Sequence, residues 1–334
     1  MQRGERLALF VVGLIVIGLP VLVIGYQYGL RPSMSSPRVI DIRAAAPENG
    51  GFQPDSIRVM AGETVTLRFH SVDVTHGIAI GPGLGIDLGQ VDAGYVAKVT
   101  VTFPRAGTYT FYCNAWCSED HWRMRGVIEV RDAAHPDALP IAHSDPVIEA
   151  LLAEGVDIDA THEGSGSPPH FYGPRPSASQ GRVLASEIAV PADLEDPTWR
   201  FSHTPAQGLE RLTEVAPNVP EADLGDVIAY LWTQGTQLEA LAAAEVLYNK
   251  NCAACHGQYG GGDGPAADTT TNPPTAFTDL AHMLARRSDV LYAKIRRGGM
   301  GTGMPNFGTL FTEEETRALV DYLWVLAFQA HPEE

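Results

Sequence analysis

Thr108-Tyr109-Thr110-Phe111-Tyr112-Cys113-Asn114-Ala115-Trp116-Cys117-Ser118-Glu119-Asp120-His121-Trp122-Arg123-Met124 starts as a strand and ends as a cluster of metal-binding side chains. Its first five residues are β-branched or aromatic, the types that suit a half-buried pleated surface. Two thiols, an imidazole and a thioether then follow, spaced Cys-x3-Cys-x3-His-x2-Met. Soft sulfur ligands with imidazole suit copper, and a weak axial thioether tunes its potential. Zinc prefers four strong ligands and has no use for methionine. A mononuclear blue-copper site needs one cysteine and leaves the second unexplained. The remaining reading is a disulfide between Cys113 and Cys117. A second imidazole is available from His76, within Asp73-Val74-Thr75-His76-Gly77, where a strand is expected to end and a turn to begin.

Upstream and around this loop the chain reads as β structure over residues 37–132. Ser56-Ile57-Arg58-Val59, Thr64 to Phe69 and Lys98 to Phe103 alternate polar and apolar, the period of strands with one buried face. Ala61-Gly62-Glu63, Gly81-Pro82-Gly83 and Pro104 to Gly107 separate them as turns. Short strands at this spacing predict a sandwich or barrel. His70 and Met60 are read as ordinary strand residues.

Gly51-Phe52-Gln53-Pro54, Asp73-Val74-x-His76-Gly77, Gly107-Thr108-Tyr109-x-Phe111-Tyr112-Cys113 and the two-cysteine loop occur in order. Over residues 50–130 this pattern resembles the dicopper (CuA) cupredoxin domain of subunit II of haem-copper oxidases. The resemblance implies that Cys113 and Cys117 bridge two copper ions, that His76 and His121 each bind one, that Met124 is a weak ligand, and that the backbone carbonyl of Ala115 supplies another. Many family members have Glu where Ala115 stands, but its side chain is not the ligand. The Trp-rich strand of mitochondrial-type subunits is absent and one anchor helix replaces two, which points toward the shorter B-type subunits.

Nearer the C-terminus, Cys252-Ala253-Ala254-Cys255-His256 is the attachment pattern of a c-type haem. Two thiols on one turn add to the vinyl groups and the next residue offers an imidazole to iron. Gly299-Met300-Gly301-Thr302-Gly303-Met304-Pro305 follows in a loop able to present a thioether to the other haem face. The segment 240–328 resembles small single-haem cytochromes c, with Gly264-Pro265, Phe277-Thr278-Asp279, Met304-Pro305 and a closing helix carrying Tyr322-Leu323-Trp324. That family's ligand is usually followed by Pro, so Met304 is assigned over Met300. Helices are expected over Leu238–Asn249, Ser288–Arg297 and Thr312–Phe328, the last opened by a Thr312/Glu315 capping box. Its aromatics are read as core.

Between these parts, residues 133–240 are less informative. Gly164 to Gly181 is rich in Gly, Ser and Pro and reads as a linker. Pro146–Glu154 and Glu221–Thr233 are helical candidates. The second resembles Glu313 to Trp324, a weak internal repeat. No Cys-x-x-Cys-His lies upstream of it, so a covalent second haem is excluded, and a haem-less cytochrome-like remnant or packed linker is expected. His143, His162, His170 and His203 scatter among loops and are not read as ligands.

At the other end, Leu7 to Gly25 carries no charge and is preceded by Arg3 and Arg6. That length suits a bilayer-spanning helix with its N-terminus in the cytoplasm. A cleaved signal peptide would have a shorter apolar run ending in small residues, unlike Tyr26-Gln27-Tyr28. The soluble parts then lie on the periplasmic or extracytoplasmic side of the cell membrane. A net charge of −17 argues against a nucleic-acid partner and suits either an encounter with a basic soluble protein or simple solubility of the domains.

The expected architecture is therefore multidomain: an N-terminal transmembrane anchor (1–34), an all-β cupredoxin Greek-key barrel (37–132), a linker and helical segment (133–240) and an all-α cytochrome c domain (241–330). The resemblances imply two copper ions and one haem c, and an electron-transfer subunit of a respiratory cytochrome c oxidase with no oxygen-reducing site of its own. They imply a haem-copper oxidase catalytic subunit I as partner, and a soluble or membrane donor, either a cytochrome c or a cupredoxin. The alternatives are the dicopper small subunit of a nitric-oxide reductase, a membrane-tethered redox carrier, or a copper-delivery protein.

Overall fold

The computed structural model describes Gly4 and residues 10–30, 37–138, 145–158, 175–235, 237–270, 272–299 and 304–328. Helix α1, Phe10–Tyr28, is long and apolar enough to cross a membrane, and none of it is buried. The described helix covers Phe10 to Gly25 of the expected span and continues to Tyr28, while residues 7–9 lie outside the described set. Wider π-turns occupy Leu14–Gly18 and Tyr26–Leu30. Pro20 lies just beyond the first of them, where its missing N–H removes one helical bond.

Among the described residues, nine strands form the β part: β1 Arg38–Ala44, β2 Phe52–Gln53, β3 Ser56–Met60, β4 Thr64–Ser71, β5 His76–Gly81, β6 Ile86–Val91, β7 Val96–Thr102, β8 Gly107–Tyr112 and β9 Arg125–Arg131. They make two sheets, ordered β2-β1-β4-β7 and β3-β9-β8-β5-β6. β1 runs parallel to β4 and β3 parallel to β9, and the other pairs are antiparallel. Along β4 every second residue is buried, as the alternation predicts. Ile42, Leu67, Phe69, Phe111 and Ile128 fill the space between the sheets. Phe52 and Phe111 meet edge to face at 5.0 Å, a favoured aromatic geometry.

This topology gathers the copper candidates at one end. β8 pairs with β9 on one side and β5 on the other. Residues 113–124 are thus the loop closing the β8–β9 hairpin. His76 begins β5 instead of ending a strand, a correction to the expected position. His70 sits on β4 with its ring 2.6 Å from Asp41, and Met60 closes β3.

The remaining chain is helical: α2 Pro146–Ala153, α3 Ala178–Leu184, α4 Ala192–Glu195, α5 Pro197–Ser202, α6 Pro205–Val215, α7 Glu221–Thr233, α8 Leu238–Asn251, α9 Ala253–His256, α10 Leu280–Leu284, α11 Ser288–Arg297 and α12 Glu313–Phe328. The Thr312/Glu315 box forms, with Thr312 N–H donating to Glu315 at 2.7 Å and the Glu315 amide donating to Thr312 Oγ1 at 3.1 Å. Gly164 to Gly181 is not linker throughout. Its residues 164–174 lie outside the described set, while Ser177 caps α3 by accepting from the Gln180 amide. Gly181 then lies against α7, where a Cβ would stand 1.7 Å from the Asp226 carbonyl oxygen. A glycine chosen for close helix approach looked like one chosen for flexibility.

One buried cluster runs from Leu194 through Trp232, Tyr292 and Trp324 to Phe328. The segment 192–233 and the C-terminal helices therefore share a core. Trp324 Nε1 donates to Ser288 Oγ at 3.0 Å, so the closing aromatics are packing residues. The same cluster includes Ala79 and Tyr112 of the sandwich, which joins the helical part to the β5–β8 face.

Candidate metal centres

The loop after β8 brings its sulfurs and imidazoles together. His76, Cys113 and Cys117 offer ligand atoms that all lie within 4.8 Å of one another. Cys113 Sγ is 3.9 Å from His76 Nδ1, and Cys117 Sγ is 3.6 Å from His121 Nδ1 and 3.9 Å from Met124 Sδ. The Ala115 carbonyl oxygen lies 3.2 Å from Cys113 Sγ. His76, His121 and Met124 are buried, and both cysteines are free thiols with no disulfide between them. All six sequence-derived copper candidates thus meet in one place.

The electrostatics prepare this loop for a cation. The hydrogen bond from Cys117 lowers the Cys113 thiol despite burial, and the Ala115 and Gly77 backbones add to the effect. Cys117 is pushed up to about 11, by Cys113 first and then by burial. Two adjacent thiolates repel each other, and positive charge between them removes that repulsion. Burial disfavours a charged His76 ring, yet the Cys117 sulfur and the Asp73 carboxylate together raise its pKa.

Asp73 stands in the quoted motif, but its role escapes sequence reading. Its carboxylate accepts from His76 Nε2 at 2.9 Å, from Asn49 Nδ2 and the Ala46 amide at 2.8 Å each, and from the Val74 amide at 2.8 Å. Holding Nε2 as the donor leaves Nδ1 bare and turned toward Cys113, the role an outer carboxylate plays behind a ligating histidine. The motif Asp-x-x-His carried this signal, but so do many turns.

The second centre repeats the logic. α8 leads into Cys252, and α9 carries Cys255 and His256. His256 Nδ1 donates to the Thr275 carbonyl at 3.0 Å, which leaves Nε2 free for a metal. Burial lowers the pKa of this ring and keeps it neutral, the form that ligates. Phe277 stacks on it at 4.7 Å. Tyr248 donates its hydroxyl to the Gly257 carbonyl at 2.8 Å and so ties down the end of the motif. Burial pushes the Cys252 thiol up to about 12 and raises Cys255 as well. Met304 is half-buried against the helical cluster, and its carbonyl accepts from the Gly299 amide at 3.1 Å. Met300 lies outside the described residues, as do His143, His162 and His170. His203 stacks on Trp199 at 3.9 Å and bonds its carbonyl, away from either centre.

The donor sets fit the groups implied. Two thiols, two Nδ1 atoms, a carbonyl and a thioether suit copper and exceed what zinc needs. A Cys-x-x-Cys-His turn with its ring tautomer fixed, and a thioether loop after α11, suit a covalently held haem.

The centres are neighbours. Cys113, Trp116 and His121 form one wall of a crevice of about 40 Å³, and Cys255, Pro305 and Phe307 form the other. Arg125, which follows Met124, donates to the Asn306 carbonyl and lies 5.1 Å from the Phe307 ring centroid. Burial pushes its guanidinium down to about 10.

Comparison with known proteins agrees with the motifs. Residues 239–323 match the family described as cytochrome C oxidase, cbb3-type, subunit III. The chain is 37% identical over 82 residues to cytochrome c oxidase subunit 2 of Thermus thermophilus, covering 25% of this chain and 59% of that relative. The same identity and length hold for a protein of that name from a second strain of the organism, of which 48% is covered. The chain thus spans about half the length of the curated relatives it matches. Among solved structures, the periplasmic domain of subunit II of cytochrome oxidase from Bradyrhizobium japonicum is similar at 18% identity and a TM-score of 0.25, over 30% of this chain and 88% of that one. Auracyanin B is similar at 21% identity and a TM-score of 0.24, over 29% and 91%. One part of the chain is similar to oxidase subunit II and holds a two-sheet sandwich with clustered thiol, imidazole and thioether donors, and residues 239–323 are similar to the cbb3-type subunit III family.

Proposed function

We propose that this chain is the electron-transfer subunit II of a membrane-bound terminal oxidase. In this reading residues 37–132 form the copper domain, residues 241–330 carry the haem, and residues 133–240 brace the haem domain. The observation that carries the reading is the convergence of His76, Cys113, Ala115, Cys117, His121 and Met124 beside Cys255 and Phe307.

When bound, a copper pair and a haem c supply reversible one-electron chemistry. The protein's part is to hold and tune them. Cys113, Cys117, His76 and His121 would hold the coppers, with His76 oriented by Asp73. Met124 and the Ala115 carbonyl would be weak outer ligands. Cys252 and Cys255 would bind the haem covalently, with His256 and Met304 as its iron ligands. Rigid β8 and β9 hold both ends of the copper loop, so a change of oxidation state would move few ligand atoms. Catalytic subunit I, which would hold the oxygen chemistry, and a donor, either a cytochrome c or a cupredoxin, complete the path. α1 would anchor the chain once, with the metal domains on the extracytoplasmic side.

The test is isolation of the complex from its membrane, with metal analysis and electron paramagnetic resonance. Two coppers and one iron in this chain, a mixed-valence copper signal, a polytopic partner and oxygen consumption are expected. Consumption of nitric oxide without oxygen would assign the chain to a reductase. Isolation as a lone chain with one exchangeable copper would sink the oxidase reading.

A further inference from the structure

The crevice between the metal segments is walled on both sides by ligand-bearing loops, and one carboxylate touches both. Asp87 lies on β6, opposite Ala79 of β5. Its Oδ2 accepts from Asn114 Nδ2 at 3.1 Å, and the same oxygen pairs with Lys250 Nζ. Asn114 stands between Cys113 and Ala115 in the copper loop and is 8% exposed. Lys250 is in the last turn of α8, two residues before Cys252. The bond sequence Lys250–Asp87–Asn114 therefore runs from the haem-attachment turn to the copper ligands through side chains alone. Nearby, a Cβ at Gly81 would stand 2.0 Å from the Leu310 carbonyl oxygen, so the two backbones meet with no room for a side chain. Arg125 makes the third contact, to Asn306 and Phe307.

We infer that Asp87 is a positioning residue that holds the haem-attachment turn against the copper loop at a fixed separation. The inference rests on the electron-transfer reading above. Asp87 and Lys250 side chains are 35% and 41% exposed, and ion pairs this open add little to stability. Loss of Asp87 therefore leaves both domains folded but frees the two loops to move apart. Electron transfer between buried centres weakens exponentially with their separation, so a small stability change accompanies a larger rate change. Lys250 supplies the attraction and Asn114 transmits it to the ligand loop.

The test uses the full chain with haem and copper loaded. Asp87→Ala, Lys250→Ala, the exchanged pair Asp87→Lys/Lys250→Asp, and Gly81→Ala are compared with the native protein. One readout is the rate at which an electron placed rapidly on one centre equilibrates with the other. A second, on copper-free protein, is hydrogen exchange over residues 304–311 and 113–121. Asp87→Ala and Lys250→Ala are expected to slow equilibration severalfold and to raise exchange in both segments. Absorption spectra, resonance spectra and potentials should stay as in the native protein. The exchanged pair should recover part of the rate, which a merely structural role would not predict. Gly81→Ala opens the same crevice from another side and should slow transfer without altering either ligand set. If Asp87→Ala does not fold, the exchanged pair and Gly81→Ala decide. Native rates and native exchange in the folded variants would overturn the inference. A native chain lacking the copper pair or the haem would overturn it together with the reading beneath it, before any variant is made.

Discussion

Replacing Asp73 with Asn keeps the shape of the side chain and removes its charge, which isolates the role of the carboxylate behind His76. All four partners of Asp73 are donors: the Ala46 and Val74 amides, Asn49 Nδ2 and His76 Nε2. Burial works to raise the pKa of this carboxyl, but those bonds outweigh it and hold the group far below the usual carboxylate range. An asparagine offers one accepting oxygen, so two bonds are lost and an NH₂ group faces donors. Bonds to a charged acceptor contribute about 1.5–3 kcal/mol each. The Asp73 side chain is 19% exposed, which favours the lower end, so we expect roughly 3 kcal/mol of destabilisation from two lost bonds. Loss of the outer partner of a ligating histidine weakens metal binding by about 10–100-fold. Copper affinity by competition with a chelator, and denaturant unfolding of copper-free protein, measure the two effects separately. Native affinity in Asp73→Asn would refute the assignment of Nδ1 as the ligand atom held in place by Asp73.

Four further outcomes are expected. Cys113→Ser should abolish the paired-copper resonance signal while haem stays bound, and survival of the signal would refute the sulfur bridge. Met304→Ala should lower the haem potential or open the sixth coordination position, as loss of a thioether does; an unchanged spectrum would transfer the ligand to Met300. Asp87 is held below the ordinary carboxylate range because Lys250, the Gly89 amide and Asn114 outweigh burial. Its contribution is full above the unfolded value of about 3.9 and is lost as pH falls through the lower folded value. Protection of residues 304–311, after correction for the intrinsic pH dependence of amide exchange, should therefore hold down to about pH 4 and weaken below it, and weakening near neutrality would contradict this. Thr312→Ala removes one half of the α12 capping box and should lower stability by about 1 kcal/mol in thermal unfolding, with the haem spectrum unchanged.

Much of this fold was legible where one face of an element meets water. β3, β4 and β7 alternate and were placed within a few residues. The helices at 221–233 and 288–297 were placed to the residue, because periodicity agrees with acidic first turns, although neither N-cap makes a side-chain bond. β5 was harder, since all six of its residues are buried and a strand covered on both faces has no period of two. Its burial comes from the helical part, which no local pattern announces. α4, α5 and α6 escaped notice because two are shorter than two turns and Pro191, Pro197 and Pro205 read as loop. Ligands clustered in sequence, such as Cys113 to Met124, were visible. Asp87 and Lys250, separated by 163 positions, leave no trace until the chain is folded.

The cluster shared by Leu194, Leu212, Trp232 and Trp324 has a practical meaning for anyone dissecting this protein. A fragment cut at the apparent boundary near 240 would strip one wall from the haem-bearing half and present bare tryptophan and leucine to water. Such a piece should be prone to aggregation, whereas one beginning near 145 keeps the helical interior together and bares only its contacts with Ala79 and Tyr112. The stretch between the two ligand-bearing segments supplies much of the core against which the C-terminal helices pack.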